Sequence, residues 1–150
     1  MCAVLRPEVA SPMDTLNPAE RSERMRRIRS EDTAPEMVVR RLVHRMGYRY
    51  RLHARGLPGV PDLVFKGRGK IILVHGCFWH LHRACHQTRV PKSRVAFWKS
   101  KLESNQRRDA LNRRRLRALG WNVLVVWECQ TKKPEELSRR IGSFLAENSR

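Results

Sequence analysis

The 150-residue sequence predicts a single α/β domain: a mixed central sheet flanked by helices, with one structural zinc site. Three observations carry this expectation. Helix-start signals alternate with short apolar runs bounded by glycine and proline, the pattern of helices packed on a sheet. The length suits one compact core and is too short for two. Directly after the apolar run Ile71-Ile72-Leu73-Val74, the segment from Val74 to Cys85 gathers His75, Cys77, Phe78, Trp79, His80, His82 and Cys85, too many metal-binding and aromatic groups for ordinary core.

Residues 1–14 show no periodicity, contain Pro7 and Pro12, and are expected to be a disordered tail, with Met13 an alternative start to Met1. The remainder, 15–150, is read as the domain. Asn17-Pro18-Ala19-Glu20 supplies a cap, a proline at the first helical position and a glutamate at the third, opening a basic helix over about 17–29. Thr33-Ala34-Pro35-Glu36 opens a second helix, with Val38, Val39, Leu42, Val43 and Met46 inward and Gly47 as its stop. Strands follow over 48–52, 62–66 and 70–75. The turn Gly67-Arg68-Gly69 makes the last two a hairpin, which sets Asp62 beside Val74 and His75. A long helix over about 94–119 has the inward stripe Val95, Trp98, Leu102, Asn105, Asp109, Asn112, Leu116 and Leu119. Polar groups in the middle of a buried stripe are costly unless hydrogen-bonded or beside a polar site. A strand over 121–127 and a helix over 134–146 complete the chain.

Composition narrows the function classes. The chain holds 32 Lys and Arg against 14 Asp and Glu, a net charge of +18, which points to a polyanionic partner held by phosphate contacts and counterion release. No run approaches the roughly 18 apolar residues of a membrane span, and the start lacks a signal-peptide pattern, so an intracellular protein is expected. In that setting four cysteines argue for metal binding over disulfides. Cys77, His82, Cys85 and the distant Cys129 make a closed three-cysteine, one-histidine set suited to structural zinc, with His80 or His86 as alternatives to His82. Asp62, at a strand start, is placed to hold Mg²⁺ against a phosphate. Met25 and Ile28 among Arg24, Arg26, Arg27 and Arg29 form an apolar wedge within phosphate-binding groups.

The blocks Asp32-Thr33-Ala34-Pro35-Glu36, Leu57-Pro58-Gly59-Val60-Pro61-Asp62, His75-Gly76-Cys77-Phe78-Trp79-His80, Phe97-Trp98, Leu119-Gly120-Trp121 and Val126-Trp127-Glu128-Cys129 resemble very-short-patch-repair (Vsr) DNA mismatch endonucleases of the PD-(D/E)xK superfamily. The resemblance covers about 17–145. It implies a restriction-endonuclease-like fold and a Mg²⁺-dependent nick in duplex DNA, 5′ to the thymine of a T:G mismatch left by deaminated 5-methylcytosine. By that likeness Asp62 and the Val74 carbonyl hold Mg²⁺, His80 is the base, and His75 and Glu36 assist around the phosphate. Phe78, Trp79 and Trp98 would intercalate, as Met25 and Ile28 would from the first helix. Asn105 and Asp109 would orient His80 or His75, or form only a buried network. The superfamily's usual E-x-K is missing: its place reads Val74-His75, so histidines must supply the lysine's charge. A monomer in the bacterial cytoplasm is expected, with mismatched duplex DNA as partner and other mismatch-repair proteins as further candidates. The alternatives are a nuclease of this superfamily for another DNA structure and a zinc-stabilised DNA-binding module without activity.

Overall fold

A computed structural model describes residues 17–148; the expected tail and both start methionines lie outside the described residues. Helix α1 (Pro18–Arg27) opens as expected: the Asn17 side chain accepts from the Glu20 amide at 2.8 Å, and Glu20 accepts from the Asn17 amide at 2.8 Å. Apart from half-buried Met25 its described side chains are exposed, so its stability rests on that cap and on pairs such as Arg27–Glu23 at 3.3 Å. Helix α2 (Ala34–Arg45) starts with the same device, built from Thr33 and Glu36.

A four-stranded sheet follows in the order β1-β2-β3-β4, with β1 (Arg51–Leu52), β2 (Leu63–Phe65) and β3 (Lys70–His75) antiparallel in sequence and β4 (Asn122–Trp127) parallel to β3. The expected mixed sheet is therefore present, and its antiparallel part is the expected hairpin. Helix α3 (Val95–Ala118) connects β3 to β4, and α4 (Pro134–Ala146) closes the fold. One face of the sheet buries Leu63, Phe65, Ile72 and Val126 against Val39 and Val43 of α2 and Leu137, Ile141 and Leu145 of α4. The other buries Val64, Ile71 and Leu73 against Leu116 of α3.

Three expectations need correction. The strand at 48–52 shortens to Arg51–Leu52, because Tyr48 and Tyr50 instead pack on the core and the Tyr50 hydroxyl donates to the Arg40 carbonyl. On α2 Val39, Val43, Leu42 and Met46 pack inward as expected, but Glu36 and Arg40 are buried beside them and Val38 is exposed. On α3 both Val95 and Leu119 are exposed. A 24-residue helix is about 36 Å long and a six-residue strand about 20 Å, so the helix ends overhang the sheet.

Lys70, buried at the start of β3, donates its ammonium to the carbonyls of Phe144 and Glu147 at the end of α4. It thereby satisfies carbonyls that the helix leaves without partners. It lies at the opposite end of β3 from His75, about 17 Å away by strand rise.

Candidate active site and metal cluster

The ends of β2 and β3 create the first half of the site. Asp62 immediately precedes β2, and antiparallel pairing brings its carboxylate to the Val74 amide, which donates to it at 2.7 Å. A strand residue directs its N–H and C=O to the same side, so the Val74 carbonyl also faces the Asp62 edge. The approach to Asp62 is conformationally demanding. Gly59 has φ +73°, and a Cβ there would lie 2.7 Å from the Asn112 side-chain nitrogen, so α3 packs directly on this loop. Val60, a β-branched residue, is left-handed at φ +47°.

Glu36 reaches Asp62 from the first turn of α2, and the two carboxyls share a hydrogen bond. One Glu36 oxygen accepts from the Thr33 amide at 2.9 Å, and the other meets His53 Nε2 at 3.0 Å. The Arg40 guanidinium, one turn further along α2, lies 3.6 Å from that second oxygen and 2.7 Å from Asp32. Burial alone would raise Glu36, but hydrogen bonds from Asp62, His53 and the Thr33 amide outweigh it and hold it below the usual carboxylate value. Asp62 goes the other way: burial, then its hydrogen bond with Glu36, push it up to about 7. Two buried carboxyls this close do not both ionise readily unless a cation joins them.

The second half lies on the α3 side. His75, 7% exposed, stacks flat on His80 with ring centroids 4.0 Å apart and 8° between planes. His80 Nδ1 meets the Asp109 carboxylate at 2.5 Å. Burial, then the neighbouring His80, lower His75 to about 3, so it stays neutral in the working range. Although His75, His80 and Asp109 cluster closely enough to suggest a metal triad, stacked imidazoles direct their lone pairs in parallel rather than towards one point. The arrangement suits proton movement better than ligation. A cavity of about 200 Å³ opens beside it, lined also by Arg83, Arg113 and Trp127.

The two polar residues of α3 divide their work. The Asp109 carboxylate meets His80 Nδ1. The Asn105 amide donates to the Trp79 carbonyl at 3.2 Å and thus holds the loop backbone.

Behind this loop, Cys77, His82, Cys85 and Cys129 place one ligand atom each within 4.8 Å of one another. His82 Nδ1 is 3.5 Å from both the Cys77 and the Cys129 sulfur, and the Cys129 amide donates to the Cys77 sulfur at 3.4 Å. Of the three candidate histidines, His82 is the one in this group; His80 is engaged by Asp109 and His86 is exposed. Burial, then the neighbouring thiols, push the Cys77 thiol up to about 12. Three thiols and an imidazole converging at these spacings fit a tetrahedral zinc ion, which would remove that thiol proton. Turn hydrogen bonds shape the loop independently: the Thr88 hydroxyl lies 2.7 Å from the His82 carbonyl and 3.1 Å from that of Cys77, and the Cys77 amide donates to Glu128 at 3.2 Å.

Phe78, Trp79, Phe97 and Trp98 form one aromatic cluster with centroid distances of 5.1–6.0 Å. Trp98, expected to intercalate, is buried and backs the cluster, whereas its neighbour Phe97 is 45% exposed under the guanidinium of Arg94. Met25, Arg24 and Arg27 lie on α1, which ends at Arg27 short of the expected 29; Ile28, its extended C-cap residue, is 46% exposed.

Sequence reasoning passed over His53, Arg40, Phe97, Arg113 and Trp127. Arg40 had a signal, its four-residue spacing from Glu36, and Phe97 stood beside a residue already singled out. His53 sits in an irregular segment at φ +43° with no pattern to mark it.

Comparison with known proteins follows the same lines. Residues 13–87 match the family model of the DNA mismatch endonuclease Vsr. The Type II nicking enzyme V.XorIIP of Xanthomonas oryzae pv. oryzae is 45% identical over 132 residues, 88% of this chain and 96% of the relative. The DNA mismatch endonuclease Vsr of Escherichia coli is 41% identical over 125 residues, 83% of this chain and 80% of the relative. The Type II nicking enzyme V.NmeAIP of Neisseria meningitidis is 35% identical over 134 residues, 89% and 95% of the two chains. With its family model spanning the Asp62 junction and the loop from His75 to Cys85, and its relatives spanning nearly the whole fold, the chain belongs to the Vsr family of DNA mismatch endonucleases.

Proposed function

We propose that this endonuclease nicks one strand of duplex DNA 5′ to the thymine of a T:G mismatch, in repair of deaminated 5-methylcytosine, using Mg²⁺ for catalysis and Zn²⁺ for structure. It does so from a single restriction-endonuclease-like domain over residues 15–150. The observation that carries the reading is the junction at Val74: its amide holds Asp62, and the next residue, His75, stacks on a histidine bonded to Asp109. A carboxylate for a hard cation and an imidazole for a proton are thus brought to one sheet end, in a chain of net charge +18.

Asp62 and the Val74 carbonyl would hold Mg²⁺; the pair of apposed carboxyls, with Asp62 raised to about 7, is the kind of oxygen site such an ion occupies. When bound, the ion polarises the phosphoryl oxygen and neutralises developing charge. Glu36, kept ionised by its hydrogen bonds, contributes negative charge beside Asp62. His80 is the general base. Asp109 binds Nδ1, which fixes the tautomer with Nε2 free to accept a proton from water. His75, neutral and buried, supports the His80 ring, and Arg83 and Arg113 supply positive charge at the cavity wall. Cys77, His82, Cys85 and Cys129 would hold zinc and pin the His80 loop to the end of β4.

Phe78, Trp79 and Phe97, backed by Trp98, are the wedge offered to the duplex, where a mismatch lowers the cost of unstacking. Helix α1 and its C-cap residue add Met25 and Ile28, with Arg24 and Arg27 on phosphates. Relatives whose names denote mismatch endonuclease and nicking activity support the substrate and the single-strand cut. The test is strand-specific labelling of a duplex with one T:G mismatch, beside a fully paired duplex, with and without Mg²⁺. A Mg²⁺-dependent nick 5′ to the mismatched thymine alone is expected. Equal cutting of the paired duplex would indicate a nuclease for another DNA feature, and tight binding without cutting a DNA-binding module.

A further inference from the structure

We propose that Trp127 is a positioning residue whose indole couples the Cys₃His cluster to the His75–His80 pair. The inference rests on the reading of His80 as the base. Trp127 is the last residue of β4 and lies in register with His75 across the parallel β3–β4 pair. Its ring has two neighbours of different kinds. One face stacks on His82 at 4.2 Å between centroids and 3° between planes, and His75 meets it edge-on at 5.4 Å and 75°. His75 in turn stacks on His80, and His80 bonds to Asp109. Rings therefore run without a break from His82 through Trp127 and His75 to His80.

The physical consequence follows from what restrains each ring. His82 is held by two sulfurs and His80 by a carboxylate, so the ends of the row are fixed by directional bonds. His75, between them, is held by ring contacts: a flat face on His80 and a T-shaped contact with the indole. A planar group at 127 is thus what keeps His75 parallel beneath His80. An aliphatic side chain of similar volume would fill the space but offer no flat face to His82 and no defined edge to His75. Near the reacting centre a displacement of about 1 Å can cost on the order of 100-fold in rate, so a small tilt passed from Trp127 to His80 has a large effect.

The test compares Trp127→Leu and Trp127→Phe with the unmodified protein, and with His80→Ala as reference. Zinc per chain, kcat and KM on the T:G duplex, and the imidazole ¹⁵N resonances are read for each. Trp127→Leu is expected to keep its zinc and fold, to lose kcat by about 10–100-fold with KM within about threefold, and to shift the His75 and His80 resonances. Trp127→Phe, which keeps a planar ring, should recover most of kcat. Unchanged kcat in Trp127→Leu would overturn the proposal. So would loss of zinc or fold in that variant, which would make the indole a structural filler, and so would equal losses in Leu and Phe. If instead His80→Ala stays active, it is the reading of His80 that fails.

Discussion

Where α2 meets the end of the sheet, Glu36, His53 and Asp62 bring together two carboxyls and one imidazole; across β3, His75, His80 and Asp109 bring together two imidazoles and one carboxylate. The first group carries an excess of negative charge in a buried place, and Asp62 consequently holds its proton up to about 7. The second has a single carboxylate, which holds His80 Nδ1 and leaves its other ring nitrogen free. Under the proposed function the contrast separates two tasks: cation binding falls to the strand end and proton transfer to the loop. It also separates their supports. Asp62 is held beside strand pairing and a helix cap, whereas His80 sits on the loop from which Cys77, His82 and Cys85 converge on Cys129.

The largest effect should come from the loop's anchor. Cys129→Ser is expected to lose the zinc, about one ion per chain in the native protein, together with all detectable nicking and most thermal stability. Metal analysis and a melting curve check this, and a folded, zinc-free active protein would break the division just drawn. Asp109→Asn keeps the shape but frees the His80 tautomer, and should lower kcat by about 10–100-fold with little change in duplex affinity. Steady-state rates beside a binding titration measure both.

A smaller effect sharpens the other half. Because the folded Asp62 value lies above its ordinary one, its protonated form stabilises the fold. That contribution is complete below pH about 4 and is lost as pH rises through about 7. Asp62→Asn, neutral throughout, should therefore be more stable than the native chain at pH 8 without divalent metal, by roughly 1–3 kcal/mol, and no more stable at pH 4. Denaturant titrations at the two pH values decide it. Smallest is the contribution of single arginines on α1: Arg24→Ala or Arg27→Ala should weaken binding to matched and mismatched duplex alike and reduce the salt slope by about one each.

Much of this was readable in the residues because it is local or periodic. The caps at Asn17 and Thr33, the hairpin that carries Asp62 to Val74 and the polar gap in the long helix each follow from spacing within one element or one turn. Asp109 stood out for that reason, as a carboxylate on an inward stripe. The parts that escaped depend on packing between distant elements. Glu36 and Arg40 occupy inward positions of α2 that an apolar pattern assigns elsewhere, and Val95 and Leu119 fit an inward period on a helix longer than the sheet beneath it. His53 and Trp127 gain their roles only from what lies across from them.

The most direct test of the account is single-turnover nicking of the T:G duplex by Asp62→Ala and His80→Ala, each paired with its affinity for the same duplex. Both variants should bind within a few-fold of the native protein while losing cleavage, Asp62→Ala beyond detection and His80→Ala by about 100–10,000-fold. Native cleavage rates in either variant, or a loss of affinity matching the loss of rate, would contradict the assignment of metal and proton chemistry to these two halves.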